Sequence, residues 1–323
     1  MKPGINFPAF DTIGNAAKFA QRIRCLKDLG ITRIRLDCHL YHLNPADGVY
    51  NLGELTAILV ALKKVGIEVL LYLVGTPAWN TSGPANTTDD TYPPANLTKF
   101  VDAAAHIMKL FPEIRHFQIW NEQNTSGFWK TPSVAAYIAM VQAVRERFAA
   151  DPDLAGVKIV MGGCAYLGQI DATGVNMIEA IHTNTPLQDL FDVVAYHPYT
   201  DPHQVWSSGE QGIFKQCITQ NAWLHDLGIE VWATEIGKST YPTSMPEVFQ
   251  PHITETQQAN YWASALPALE MANFDRVYVF RLDDREIWSE TDRDAFYGFI
   301  RKDGSKKPAY TTLQQFCRGA NRG

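Results

Sequence analysis

Three stretches of the chain repeat one pattern of apolar and polar positions: Leu26-Lys27-Asp28-Leu29-Gly30-Ile31, Leu62-Lys63-Lys64-Val65-Gly66-Ile67 and Leu224-His225-Asp226-Leu227-Gly228-Ile229. In each, a helical face ends at a glycine, which accepts the left-handed conformation that closes a helix, and the apolar run behind it reads as a strand covered on both faces. Extended along the chain, this grammar predicts strands near 4–8, 31–38, 67–74, 114–120, 157–163, 191–197, 229–235 and 276–282. Between them it predicts helices near 15–29, 53–65, 96–110, 132–150, 171–183, 211–227, 254–272 and 308–318. Strict strand–helix alternation fits an α/β protein built as a single (β/α)8 barrel over residues 1–323. The competing doubly wound sheet lacks its phosphate fingerprint, because no GxGxxG follows any strand.

A barrel directs attention to the C-terminal ends of its strands, whose following loops share one rim. Strand 2 delivers Arg35 and Asp37, strand 4 Asn121-Glu122, strand 6 His197-Pro198-Tyr199, and strand 7 Thr234-Glu235. Strands 4 and 7 of eight lie across the mouth from one another, so Glu122 and Glu235 are placed to face each other. Two opposed carboxyl groups are what glycoside cleavage requires: one protonates the departing oxygen and the other attacks the anomeric carbon from the opposite side. Four tryptophans, Trp79, Trp129, Trp206 and Trp288, fall in loops after strands 3, 4, 6 and 8, where flat rings can stack on sugars. The long loops 75–93, 237–253 and 283–298 are expected to wall such a cleft, whereas Trp120, Trp232, Trp223 and Trp262 fall within elements and read as core.

Composition narrows the field. The 34 acidic and 28 basic side chains leave a formal charge of −6 with no basic run, which argues against a nucleic-acid partner. The longest apolar run, Val69 to Val74, is strand-length, so no membrane span is expected. Five scattered cysteines without a CxxC do not make a disulfide scaffold. No charged-then-apolar leader opens the chain; it is therefore read as cytoplasmic, or as secreted or periplasmic if a leader was removed. Sequons begin at Asn80, Asn86, Asn96 and Asn124. There is no HExxH, P-loop, GxSxG elbow or clustered His/Cys set, so neither a cofactor nor a metal is expected. Asp283-Asp284 reads as an ion-paired loop before a substrate or cation site. Oligomeric state has no signature in the sequence.

Phe117-Gln118-Ile119-Trp120-Asn121-Glu122-Gln123-Asn124 resembles the strand-4 signature of clan A glycoside hydrolases, and Val231-Trp232-Ala233-Thr234-Glu235-Ile236-Gly237 is similar to their strand-7 segment. Gly30 to Asp37, Thr76-Pro77-Ala78-Trp79 and the closing Asp303-Gly304-Ser305-Lys306-Lys307-Pro308-Ala309-Tyr310 extend the likeness over nearly the whole chain. Within the clan it looks most like family 39 and its exopolysaccharide-cleaving relatives. The resemblance implies a retaining β-glycosidase acting on an oligo- or polysaccharide, with Glu122 as acid/base and Glu235 as nucleophile. It further implies that Arg35 and Tyr199 donate to Glu235, that Asn121 binds the sugar 2-hydroxyl, and that His197 binds substrate or buttresses Tyr199. Gln123 replaces the usual proline and Leu40 a frequent tryptophan, departures expected to alter the subsites. The chain ends too soon for the β-sandwich of the family's xylosidases, which favours an endo-acting, stand-alone barrel. Two rivals stay open: a carbohydrate-binding barrel with impaired catalysis, and a barrel enzyme of other chemistry such as an isomerase or lyase.

Overall fold

The structure, a computed structural model, describes residues 1–7, 15–165, 167–170, 173, 175–199, 213–247, 251–287, 289 and 291–320. Eight strands alternate with helices: β1 Lys2–Asn6, α1 Ala16–Leu29, β2 Arg33–His39, α2 Leu40–Leu43, α3 Gly53–Lys64, β3 Glu68–Val74, α4 Leu97–Leu110, β4 His116–Asn121, α5 Val134–Ala149, β5 Lys158–Ala165, α6 Met177–Asn184, α7 Leu187–Leu190, β6 Val193–His197, α8 Ile213–Asp226, β7 Glu230–Ile236, α9 Glu255–Met271, β8 Arg276–Val279 and α10 Pro308–Ala320. The strands close into one barrel in sequence order, β1 pairing parallel with β8 (Lys2 opposite Arg276) and β4 parallel with β5 (Asn121 opposite Gly163). The expected (β/α)8 barrel is therefore the fold.

Local chemistry sets the boundaries. Gly30 ends α1 with φ +77°, its N–H donating to the carbonyls of Leu26 and Lys27. Thr254 opens α9 with a capping box completed by Gln257. Two expectations shift. The sixth helix begins at Met177 rather than 171, because the Asn176 side chain accepts from the backbone N–H groups of Ile178 and Glu179 and fixes the start there. The last strand ends at Val279, and beyond it the chain forms only an isolated bridge between Asp283 and Ile300.

Two compact units make up the chain. The first comprises Met1–Ile34, Pro198–Asp226 and Val231–Gly323; the second comprises Arg35–His197 and Leu227–Glu230. In the second unit the strand faces of Phe117, Ile119 and Trp120 are sealed by Phe148, Trp129 and Tyr137. The Tyr137 hydroxyl locks two strands at once, donating to Ile119 O (2.9 Å) and accepting from Gly162 N (2.7 Å). In the first unit, buried Arg22 on α1 donates through Nε and Nη2 to Asp283 at 2.9 and 2.6 Å, and Asn6 Nδ2 donates to Thr234 O at 3.0 Å. Among the described residues no helix is long and apolar enough to cross a membrane.

Candidate active site

In the second unit, β4 carries the first carboxyl group. Its last turn of chain is contorted: Trp120 and Glu122 both adopt positive φ, +73° and +43°, conformations that cost non-glycine residues energy and persist only where the surroundings enforce them. The enforcement is visible. Gln123, fully buried, donates to Gly162 O at 2.9 Å and to Cys164 Sγ at 3.2 Å, while Glu122 N donates to Gly163 O at 2.8 Å. A Cβ at position 162 would fall on the Gln123 amide oxygen and the Ile119 carbonyl, so only glycine lets β5 approach this closely.

Arg35, 1% exposed and stacked 3.7 Å above the Tyr72 ring, donates from Nε to Gln118 Oε1 (2.6 Å) and from Nη2 to Asn121 Oδ1 (2.7 Å). A guanidinium has donors only, so the Asn121 oxygen is turned to Arg35 and its NH2 group remains as a donor for another molecule. His197, with no exposed side-chain surface, holds Glu122 through a 2.7 Å Nδ1···Oε1 bond, while Glu122 keeps 17% of its side chain open. A donated Nδ1–H from His197 would fix the orientation of the Glu122 carboxyl group. The Glu122 charge and, above all, burial push the Cys164 thiol far above its ordinary range.

In the first unit, Glu235, the penultimate residue of β7, is 9% exposed and accepts a 3.0 Å hydrogen bond from the Tyr199 hydroxyl. The Tyr199 ring meets the Tyr297 ring edge-on, centroids 6.1 Å apart. Tyr297 lies over Gly237, where an added Cβ would come within 2.6 Å of its Cδ1. Asp294 stands on a short 3-10 turn, Arg293–Phe296, with 53% of its side chain exposed. Burial first, and then the Glu235 charge, push its carboxyl above the usual range, against the pull of Arg293 and Arg285. Buried Arg285 braces this loop with a two-pronged pair to Asp292, at 2.5 and 2.8 Å.

The structure thus joins Arg35 with Asn121, Glu122 with His197, and Tyr199 with Glu235. Several expectations change. Trp129 is no stacking platform: it is 1% exposed, its ring packed between Trp120 (5.0 Å) and Tyr137 (6.0 Å), because the post-β4 segment folds back over the barrel wall. His197 and Arg35, expected to bind substrate, present almost no surface to solvent; His197 bonds to Glu122, and Arg35 to Gln118 and Asn121. Gln123 and Leu40, expected to shape subsites, are core residues at 0% and 1% exposure. Trp79 stays half-buried, its Nε1–H donating to Asn44 O at 2.9 Å. Trp206 and Trp288 lie outside the described residues. Asp283 and Asp284 are ion-paired, to Arg22 and Lys307. Gln118, Tyr72, Tyr297 and Asp294 went unread. The first two point inward from mid-strand, a position that period-two counting could have found, whereas the last two lie in a loop with no local signal.

The geometry invites comparison with known proteins. No curated protein matches the sequence. Among solved structures, the chain is similar to a family 39 glycoside hydrolase from Bacteroides cellulosilyticus WH2 (TM-score 0.75, 18% identity, 98% of this chain and 63% of that one). It is also similar to an exo-β-1,4-mannosidase from Opitutaceae bacterium strain TAV5 (0.73, 18%, 100% and 60%) and to a monomeric β-xylosidase from Caulobacter crescentus CB15 (0.69, 17%, 97% and 66%). At these identities the likeness is one of fold, and the chain spans about two thirds or less of each structure's length. The sequence itself matches a family model over residues 2–277, which agrees with the clan A resemblance, and the chain belongs to the cellulase family, glycosyl hydrolase family 5.

Proposed function

We propose that this protein is a retaining β-glycosidase that cleaves an oligo- or polysaccharide by double displacement, with residues 1–323 forming one catalytic barrel domain. The observation that carries the reading is the pair of strand-end glutamates with unlike partners. Glu235 accepts from a tyrosine hydroxyl, which favours its charged form, the form a nucleophile needs. Glu122 rests on an imidazole whose tautomer can change, which suits a group that must first give and then take a proton. Both leave the C-terminal ends of strands of one parallel barrel, where such enzymes carry their chemistry. Asn121, its amide oxygen held by Arg35, donates from its NH2 group to the hydroxyl next to the reacting carbon.

In the first half-reaction Glu235 attacks the anomeric carbon while Glu122 protonates the departing oxygen. In the second, Glu122 draws a proton from water, which attacks the same carbon and frees Glu235. Two inversions leave the configuration unchanged. Half-buried Trp79, in the loop after β3, is the side chain proposed to stack on a further sugar unit of an endo-cleaved polymer; a polymer substrate would require export.

The test is a panel of aryl β-glycosides and polysaccharides with the product anomer read by NMR. Glu235→Gln abolishes turnover of an activated aryl glycoside. Glu122→Gln slows poor leaving groups far more than good ones. Full activity in either variant, or an inverted product, overturns the assignment. Glycan binding without hydrolysis across the panel would instead favour a binding barrel, although Gln123 and Leu40, the residues that suggested it, are buried.

A further inference from the structure

The closing motif with its Lys307-Pro308-Ala309-Tyr310 remains without a role in this chemistry, yet Lys307 is the most completely enclosed cation of the first unit's rim. Its side chain is 1% exposed, and its three N–H donors are matched by three acceptors: Asp284 Oδ1 at 2.8 Å, Thr240 Oγ1 at 2.9 Å and Phe296 O at 3.1 Å. Burying an ammonium is costly even when paired, so the arrangement calls for a reason beyond stability.

The acceptors supply one. Asp284 Oδ1 also accepts from Gly298 N at 2.8 Å, and Phe296 O also accepts from Thr240 N at 3.1 Å. Lys307 therefore grips residue 296 directly and residue 298 through Asp284, bracketing Tyr297. Tyr297 in turn lies over Gly237, two residues past Glu235, and against Tyr199, whose hydroxyl holds Glu235. Tyr199 sits two residues beyond the end of β6, so its ring depends on lateral packing for its place.

We propose that Lys307 is a positioning residue for the nucleophile: by clamping the two neighbours of Tyr297 it fixes the ring that aims Tyr199 at Glu235. The inference rests on the reading of Glu235 as nucleophile. Lys307 touches no substrate and acts through Phe296, Asp284 and Tyr297.

The experiment compares wild type, Lys307→Met, Asp284→Asn, Tyr199→Phe and the Lys307→Met/Tyr199→Phe double variant, each assayed well below its own melting temperature. With an aryl β-glycoside, Lys307→Met is expected to lower kcat by about 10- to 100-fold with little change in KM, the scale set by a small misplacement of a reacting group. The acid limb of kcat/KM moves to higher pH, and the double variant is no slower than Tyr199→Phe alone, because both changes remove the same contact. Asp284→Asn, a near-isosteric change, shows the same trend if Lys307→Met folds poorly. In parallel, 13Cζ-tyrosine NMR follows the Tyr199 resonance, assigned by its loss in Tyr199→Phe; it shifts in Lys307→Met without any substrate present. A Tyr199 resonance and acid limb that stay in place while only the melting temperature falls overturn the proposal. So does a double variant whose losses simply multiply. Should the wild type hydrolyse no glycoside, the glycosidase reading fails, and the Tyr199 resonance alone then decides for or against the clamp.

Discussion

Tyr199→Phe removes a single oxygen from the structure, and its consequences can be worked through. That oxygen donates one 3.0 Å hydrogen bond to Glu235 Oε2 in a setting where the carboxylate is only 9% exposed. A hydrogen bond to a charged acceptor is worth about 1.5–3 kcal/mol. The donor favours the ionised carboxylate, so its loss raises the Glu235 pKa. On the function proposed above, turnover needs ionised Glu235, so the acid limb of kcat/KM moves to higher pH. If the whole interaction is also used to stabilise the transition state, turnover above the limb falls by about 10- to 150-fold. The assay is a pH series of initial rates with an aryl β-glycoside, alongside thermal melting to show that the fold is intact. A limb that stays put, or moves to lower pH, would refute the role assigned to Tyr199 and with it the view that Glu235 must be kept charged.

Three further outcomes are expected. Gly162→Ala forces its Cβ into the Gln123 amide and the Ile119 carbonyl, so it should disturb the contorted end of β4, lowering both the melting temperature and kcat; an active, equally stable variant would show that β5 can retreat. Arg22→Met removes the guanidinium that donates twice to buried Asp283 and should cost about 3–5 kcal/mol in denaturant unfolding, with Arg22→Met/Asp283→Leu recovering much of it. His39 lies 3.5 Å from Asp90 and 3.9 Å from Asp37; burial pulls its pKa down, but the two carboxylates outweigh it and the net shift is upward. Its ion pairing is then fully present below the ordinary histidine range and lost as pH rises through the raised value, so His39→Gln should flatten the decline of stability across that window, as melting temperatures against pH will show.

Much of the molecule was legible in order of its residues. Repeated helix–glycine–strand units specify alternation, alternation with buried strands specifies a parallel closed sheet, and that closure points to Asn121-Glu122 and Thr234-Glu235 as rim residues. These inferences hold because they rest on short-range physics: helix caps, side-chain periodicity and the handedness of strand connections act over a few residues each. Long-range packing decided the rest. Whether Trp129 stacks on a sugar or on Trp120 depends on how a loop folds back, and Gln123 became a core residue because Gly162 leaves space for its amide. Arg35 turned out to orient Asn121, and Lys307, 72 residues after Glu235, came to bracket Tyr297. Arg35 and Asn121 are 86 residues apart and Gln123 and Gly162 39, and the nearer pairs, Trp120 with Trp129 and Tyr297 with Lys307, are joined by irregular loops, so no periodic pattern records any of them. Sequence alone determined which strands carry the carboxyl groups; only tertiary structure decided what holds each one, because a side chain's neighbours in space are chosen by the closure of the whole barrel.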